Sequence, residues 1–78
     1  MKRYKILRDI LLDFLTPQDQ YSCRIDSSYT LECDEHTIWI VDESGQRQES
    51  ITPANAVDMY LERGCIEELP EHKTNGRN

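Results

Sequence analysis

The 78-residue chain lacks the sequence patterns that indicate catalysis. It has only three glycines. It contains no glycine-rich phosphate loop, no nucleophile elbow and no HExxH zinc motif. A domain of this length also has little room for a substrate pocket of about 300 Å³ or more. We therefore expect a protein that is not an enzyme.

A long uninterrupted hydrophobic run is also missing. The longest apolar segment, residues 4–15, is shorter than the roughly 20 residues of a membrane-spanning helix and contains charged residues. The basic start Met1–Arg3 resembles that of a signal peptide, but Arg8, Asp9 and Asp13 interrupt the apolar stretch that should follow it. No small-residue cleavage site comes after them. We expect a cytoplasmic protein without membrane contact.

Cysteine is scarce and forms no regular spacing. Cys23, Cys33 and Cys65 suit a reducing compartment better than a disulfide framework. Cys33 and His36 could supply half of a tetrahedral zinc site, but no second close ligand pair accompanies them, and His72 falls in a polar C-terminal segment. The sequence predicts no metal and no other cofactor. A metal-binding regulatory domain is the weakest alternative.

Basic residues are outnumbered, with nine Lys and Arg against 15 Asp and Glu and a net charge of −6. Twelve acidic residues against three arginines give residues 17–70 a charge of −9, whereas residues 1–16 carry +2 and residues 71–78 carry +1. An acidic body repels nucleic acid, so we expect no direct DNA or RNA binding. It favours a protein partner, which could be basic, although acidity commonly serves solubility alone.

Residues 4–15 predict a first helix around which the core would form. The apolar side chains follow one helix face and widen onto its flanks: Tyr4, Leu7, Leu11 and Phe14 on the face, with Ile6, Ile10, Leu12 and Leu15 beside it. Thr16-Pro17 would end the helix. On this interpretation Leu11 is buried, and its replacement by alanine would cost about 2–5 kcal/mol.

Three strands and a second helix are predicted to follow. The strands cover residues 29–33, 37–41 and 46–51, with a shorter extended piece at residues 21–25. The second helix would have Thr52 as N-cap and end at Gly64; its apolar face would contain Ala56, Val57, Tyr60 and Leu61.

The predicted element order is α-β-β-β-α. It indicates a single α+β domain over residues 1–69, in which a three-stranded antiparallel meander carries two helices packed on one face. Residues 70–78 are predicted to be a disordered polar tail.

The central predicted strand offers a candidate interaction surface. Ile38 and Ile40 share one face of the strand, while Thr37, Trp39 and Val41 share the other. If the isoleucines face the helices, Trp39 lies on the open side and could anchor an interface. The reverse orientation places the isoleucines there instead. Either choice leaves apolar side chains uncovered, which often marks an interaction site.

Acidic residues in the two predicted turns form the second candidate: Asp34 and Glu35, then Asp42 and Glu43, with Glu67 and Glu68 later in the chain. A meander places its two turns at opposite ends, so these carboxylates need not form one patch. They could imitate DNA phosphates, although carboxylates in turns more often simply contact water.

The leading functional hypothesis is a small acidic protein-binding module that occupies a partner's surface, as an inhibitor, an antitoxin or a phage anti-defence protein does. The alternative is a non-catalytic subunit or assembly factor, or a homodimer, that uses the apolar flank of the first helix. The first hypothesis predicts a polar-rimmed interface steered by charge, and the second a large apolar one.

Overall fold

The computed structural model describes residues 1–70 and shows a mostly β architecture. Its elements are β1 Lys2–Ile6, β2 Ile10–Leu15, β3 Gln20–Ile25, β4 Thr30–Cys33, β5 Ile38–Val41, β6 Arg47–Ser50, α1 Ala56–Glu62 and β7 Ile66–Glu68. Five strands form one antiparallel sheet in the order β6-β5-β4-β1-β7, and β2 pairs with β3 as a separate hairpin. The predicted α-β-β-β-α order with two helices on one face is therefore wrong. Residues 71–78, most of the predicted tail, lie outside the described residues.

The predicted first helix is replaced by β1 and β2, which are joined through residues 7–9. The buried side chains in this segment fall on even-numbered positions, the period of two that a strand requires: Tyr4, Ile6, Ile10, Leu12 and Phe14. Leu7 and Leu11, which the helical spacing placed in the core, are 49% and 58% exposed. The segment fits both periods, and pairing with neighbouring strands determines which one is used.

Strand β1 lies inside the sheet, with β4 on one side and β7 on the other. Tyr4 is opposite Leu31 in β4 and opposite Glu68 in β7. Strands β4, β5 and β6 form an antiparallel meander whose inward positions include the pair Leu31 and Ile40. These three strands match the predicted ones to within one residue at each end, but they belong to a five-stranded sheet and not to the predicted three-stranded one.

The core fills the space between the inner face of the five-stranded sheet and the β2–β3 hairpin, and α1 also contributes to it. Its buried side chains come from every strand except β6, and from the helix: Tyr4, Ile6, Ile10, Leu12, Phe14, Ile25, Leu31, Cys33, Ile38, Ile40, Val57, Tyr60 and Ile66. The hairpin therefore supplies a wall of the core.

The hairpin is attached to the sheet through the backbone of Asp13. Its carbonyl oxygen accepts hydrogen bonds from the Ile51 N–H at 2.9 Å and the Ser50 hydroxyl at 2.7 Å. Its N–H donates to the Thr52 Oγ1 at 2.9 Å. Ser50 is 3% exposed, and the bond from its hydroxyl to the Asp13 carbonyl gives this buried group a hydrogen-bond partner. The Tyr60 hydroxyl donates to the Leu11 carbonyl at 3.0 Å and ties α1 to the same strand.

Helix α1 begins later than predicted and ends where predicted. Thr52 is not its N-cap, because the helix starts at Ala56 and the Thr52 hydroxyl binds the hairpin instead. Gly64 has a φ of 71°, the left-handed conformation that favours glycine, and follows the last turn as expected. Of the predicted apolar face, Val57 is buried but Leu61 is 38% exposed.

Two neighbouring leucines distinguish the strand from the predicted helix. Leu12 is 0% exposed and Leu11 is 58% exposed. We expect Leu12→Ala to lower the free energy of unfolding by about 2–5 kcal/mol, because it leaves a cavity in the core. Leu11→Ala should change it by about 0.5 kcal/mol or less. Urea unfolding of both variants measures the difference, and the opposite ranking would support the helix.

Candidate protein-interaction surfaces

Trp39 lies on the outer face of the five-stranded sheet. Ile38 and Ile40 are 0% and 5% exposed and point into the core, so Trp39 and Val41 point outward from β5. This is the first of the two orientations that the sequence left open. Both outward side chains are only half-buried, as is Thr37 just before the strand.

Charged neighbours cover Trp39. The Arg47 guanidinium carbon is 4.6 Å from the centre of the indole ring, a cation–π contact. The Arg47 Nε is 3.2 Å from one carboxylate oxygen of Glu32, and the Arg3 Nε is 3.6 Å from the other. Glu32 is also the cross-strand neighbour of Trp39. A partner that reached this indole would have to displace Arg47 or stack on it.

Asp34 organises the turn between β4 and β5. Its carboxylate oxygen Oδ1 accepts the backbone N–H groups of His36 and Thr37, both at 2.8 Å. These two bonds hold the pKa of the Asp34 carboxyl below its ordinary value of 3.8. Glu35 is exposed beside it.

Asp42 has the same role between β5 and β6. Its Oδ1 accepts the Ser44 hydroxyl at 2.7 Å, the Gln46 N–H at 3.0 Å and the Ser44 N–H at 2.9 Å. The hydroxyl bond from Ser44 is the largest cause of a lowered pKa of the Asp42 carboxyl. Glu43 is exposed and accepts no hydrogen bond within residues 1–70. Both aspartates therefore stabilise the turns that contain them.

The structure does not bring the two acidic turns together, since they lie at opposite ends of β5. Asp34 and Glu35 instead share a surface cleft of about 450 Å³ with Asp58. Residues from the start of β1, the end of β4 and the beginning of α1 complete its lining: Met1, Lys2, Tyr4, Cys33, Ala54, Asn55 and Val57. The cleft is larger than we expected for a chain of this length. Asp42 lines a separate depression near Arg47.

The β2–β3 hairpin has an apolar outer face that was not predicted from the sequence. Leu11 and Leu15 project from the outer side of β2 and are 58% and 66% exposed. The backbone of residues 50–52 runs beside this strand, where the Ile51 N–H binds the Asp13 carbonyl. We call the exposed side chains of Leu11 and Leu15 the apolar face. The alternation of buried even-numbered residues would have revealed it, had residues 4–15 been assigned as strands.

Polar groups surround and interrupt the apolar face. The Asp13 carboxylate, between the two leucines, accepts the Ser22 hydroxyl at 2.6 Å. Arg24 and Gln20 of β3 are the cross-strand neighbours of Leu11 and Leu15. Exposed apolar side chains with a polar surround are typical of protein interfaces.

The candidate metal ligands are dispersed. Cys33 is 9% exposed, its thiol donates to the Asp34 carbonyl at 3.1 Å, and burial raises the pKa of that thiol. His36 is exposed beside Glu35, Cys23 is exposed on the hairpin, and His72 lies outside the described residues. Within residues 1–70, no group of three or more His, Cys, Asp or Glu side chains is placed to hold a metal ion.

Comparisons with protein-family models, with curated proteins and with solved structures give no match to this chain. No helix in residues 1–70 has both the length and the apolar character needed to cross a membrane.

The cover over Trp39 can be tested by fluorescence, because Trp39 is the only tryptophan. Arg47→Ala removes the guanidinium above the ring, so we expect a red-shifted emission and stronger quenching by acrylamide. Arg24→Ala is the control, since Arg24 pairs with Asp9 on the hairpin. Equal spectra for the Arg47 variant and the wild type would show that the guanidinium does not shield the ring.

The turn aspartates predict a pH dependence of stability. The pKa of each carboxyl is lower in the folded chain than its ordinary value of 3.8. Its contribution to the free energy of unfolding is therefore complete above that ordinary value and is lost as pH falls through the lower pKa of the folded chain. We expect the paired variant Asp34→Ala and Asp42→Ala to be less stable at pH 6 and to lose less stability between pH 5 and 2. Glu43→Gln is the control. Parallel curves of melting temperature against pH for all three proteins would contradict this.

Proposed function

We propose that the protein is a non-catalytic protein-binding module that contacts its partner through the apolar face. The observation that carries the proposal is the exposure of Leu11 and Leu15, 58% and 66%, on one side of a strand whose other side forms the core. Single exposed leucines are common on protein surfaces. Two on the same face of one strand, with polar groups around them, are apolar surface of the kind that marks interaction sites.

The anchoring of β2 supports a rigid contact surface. Asp13, between the two leucines, is bonded through its N–H and carbonyl to residues 50–52 and through its carboxylate to Ser22. Leu11 and Leu15 are therefore held by a strand that is fixed on both sides. A surface that is already ordered loses less conformational entropy on binding, which favours affinity.

Charge favours a different protein over a second copy of this chain. Each copy carries −6, so two copies repel each other, whereas a basic partner would be attracted and oriented. The module would then occupy its partner's surface, as an inhibitor or antitoxin does. The alternative of a subunit or homodimer that binds through the flank of a first helix is rejected, because residues 4–15 form strands and not a helix. A cytoplasmic location would suit its three free cysteines.

We test the proposal by capture from cells of the source organism with three immobilised proteins. They are the wild type, the double variant Leu11→Ser and Leu15→Ser, and Val41→Ser on the outer face of the sheet. All three should have similar melting temperatures, because the substituted side chains lie outside the core. We expect the wild type and Val41→Ser to capture the same basic protein, and the double variant to lose it.

Two results would contradict this assignment. Loss of the partner with Val41→Ser alone would place the contact on the Trp39 side. A wild-type dimer in sedimentation velocity that the double variant abolishes would show that the apolar face binds a second copy. Measured association with an identified partner should slow as salt rises, because steering by exposed charges is screened.

A further inference from the structure

The cleft beside Asp34 has an apolar floor and an acidic rim. Ala54, just before α1, and Val57, in its first turn, provide apolar surface together with the Tyr4 ring. Three carboxylates line it, from Asp34, Glu35 and Asp58. The positive groups beside them are Lys2 and the N-terminal amine of Met1, which acts on the Asp34 carboxylate. Its volume of about 450 Å³ is within the range of sites that hold small ligands.

The Tyr4 hydroxyl gives an independent indication of a ligand. Tyr4 is 4% exposed and lines the cleft, yet its hydroxyl forms no hydrogen bond within residues 1–70. The other buried tyrosine, Tyr60, donates to the Leu11 carbonyl at 3.0 Å. A buried hydroxyl without a partner is unfavourable, and such groups in native structures usually serve a purpose.

The surroundings of the phenol determine what it can bind. Burial is the main cause of its raised pKa, followed by the negative charge of the Glu68 carboxylate and, more weakly, that of Asp58. The phenol is therefore neutral at physiological pH, with oxygen lone pairs available to a donor. The negative groups around it favour a donor that carries positive charge, and its ring can stabilise the same cation.

We infer that this cleft takes a lysine or arginine side chain of the protein partner. The aliphatic stem would lie on Ala54 and Val57, as long basic side chains cover apolar surface while their charged ends stay near water. The cationic end would reach the Tyr4 hydroxyl and the Asp58 carboxylate. This inference rests on the proposed protein-binding function and names the partner chemistry that the cleft would recognise.

The inference can be tested without the partner. We titrate ¹⁵N-labelled protein with the capped tripeptide acetyl-Gly-Lys-Gly-amide and follow amide chemical shifts. The neutral control replaces lysine by norleucine, and n-butylammonium supplies the cation without a peptide. We expect the lysine peptide to shift amides of Tyr4, Val57 and Asp58 and to bind more tightly than the norleucine peptide. We expect n-butylammonium, which is the lysine side chain without its backbone, to shift the same amides. Equal affinity for norleucine would overturn recognition of the charge, and absence of these shifts with n-butylammonium would overturn assignment of the contact to the side chain.

Variants locate the contact. Asp58→Asn should weaken binding by about 1.5- to 5-fold, as for loss of one exposed ion pair. Glu49→Gln removes a charge of the same sign from β6, opposite Trp39, and should leave binding unchanged. An equal effect of both would mean that overall charge acts, and would overturn the site.

Tyr4→Phe tests the unpaired hydroxyl. It should weaken binding of the lysine peptide while leaving the melting temperature unchanged or higher, because no bond within the described chain is lost. The matched change Tyr60→Phe removes a bonded hydroxyl and should lower the melting temperature. If Tyr4→Phe binds the lysine peptide as tightly as the wild type does, the Tyr4 hydroxyl is not part of the site. The leucine variants do not enter this titration, so failure here and failure of the apolar face are separate outcomes.

Discussion

The docking of β2 against residues 50–52 determines which side chains of this strand are buried in the core and which are exposed to solvent. The Asp13 backbone makes bonds to Ser50, Ile51 and Thr52. With the strand held at that point, alternation places Leu12 and Phe14 in the core and leaves Leu11 and Leu15 in solvent. A register shift of one residue would reverse these positions and expose Phe14. The three bonds therefore set the composition of the core and of the apolar face together.

The parts of the fold that were predictable from the sequence are those with local signals. Turn chemistry at Asp34 and Asp42 located the β4–β5–β6 meander, and Gly64 located the end of the helix. Residues 4–15 have no such signal between β1 and β2, where Leu7, Arg8 and Asp9 replace the usual glycine or proline. The bend there is held by long-range bonds from the N–H groups of Leu7 and Arg8 to the Cys65 carbonyl. Partners more than 50 residues away cannot be inferred from local spacing.

The candidate surfaces were predictable to different extents for the same reason. The outward orientation of Trp39 was one of two expected arrangements, because a five-residue strand fixes alternation but not which side is covered. Its cover by Arg47 and Glu32 depends on the pairing of three strands. The cleft is still harder to predict from the sequence, because its lining residues Tyr4, Asp34 and Asp58 come from three separate segments. The apolar face was missed because it depends on assigning β2 as a strand.

The acidic residues of this chain divide into those that fold it and those that remain available to a partner. Asp34 and Asp42 use one carboxylate oxygen to hold their turns, and Glu32 is held between two arginines. Their charges still contribute to the long-range field, because hydrogen bonds from neutral N–H and O–H groups do not neutralise a carboxylate. Long-range attraction of a basic partner therefore does not depend on particular residues, whereas recognition of that partner at contact distance does. Under the proposed function, close recognition would come from the Asp58 carboxylate and from the Tyr4 hydroxyl, which has no hydrogen-bond partner within residues 1–70. The cleft, more than the net charge, would then determine which basic partner is bound.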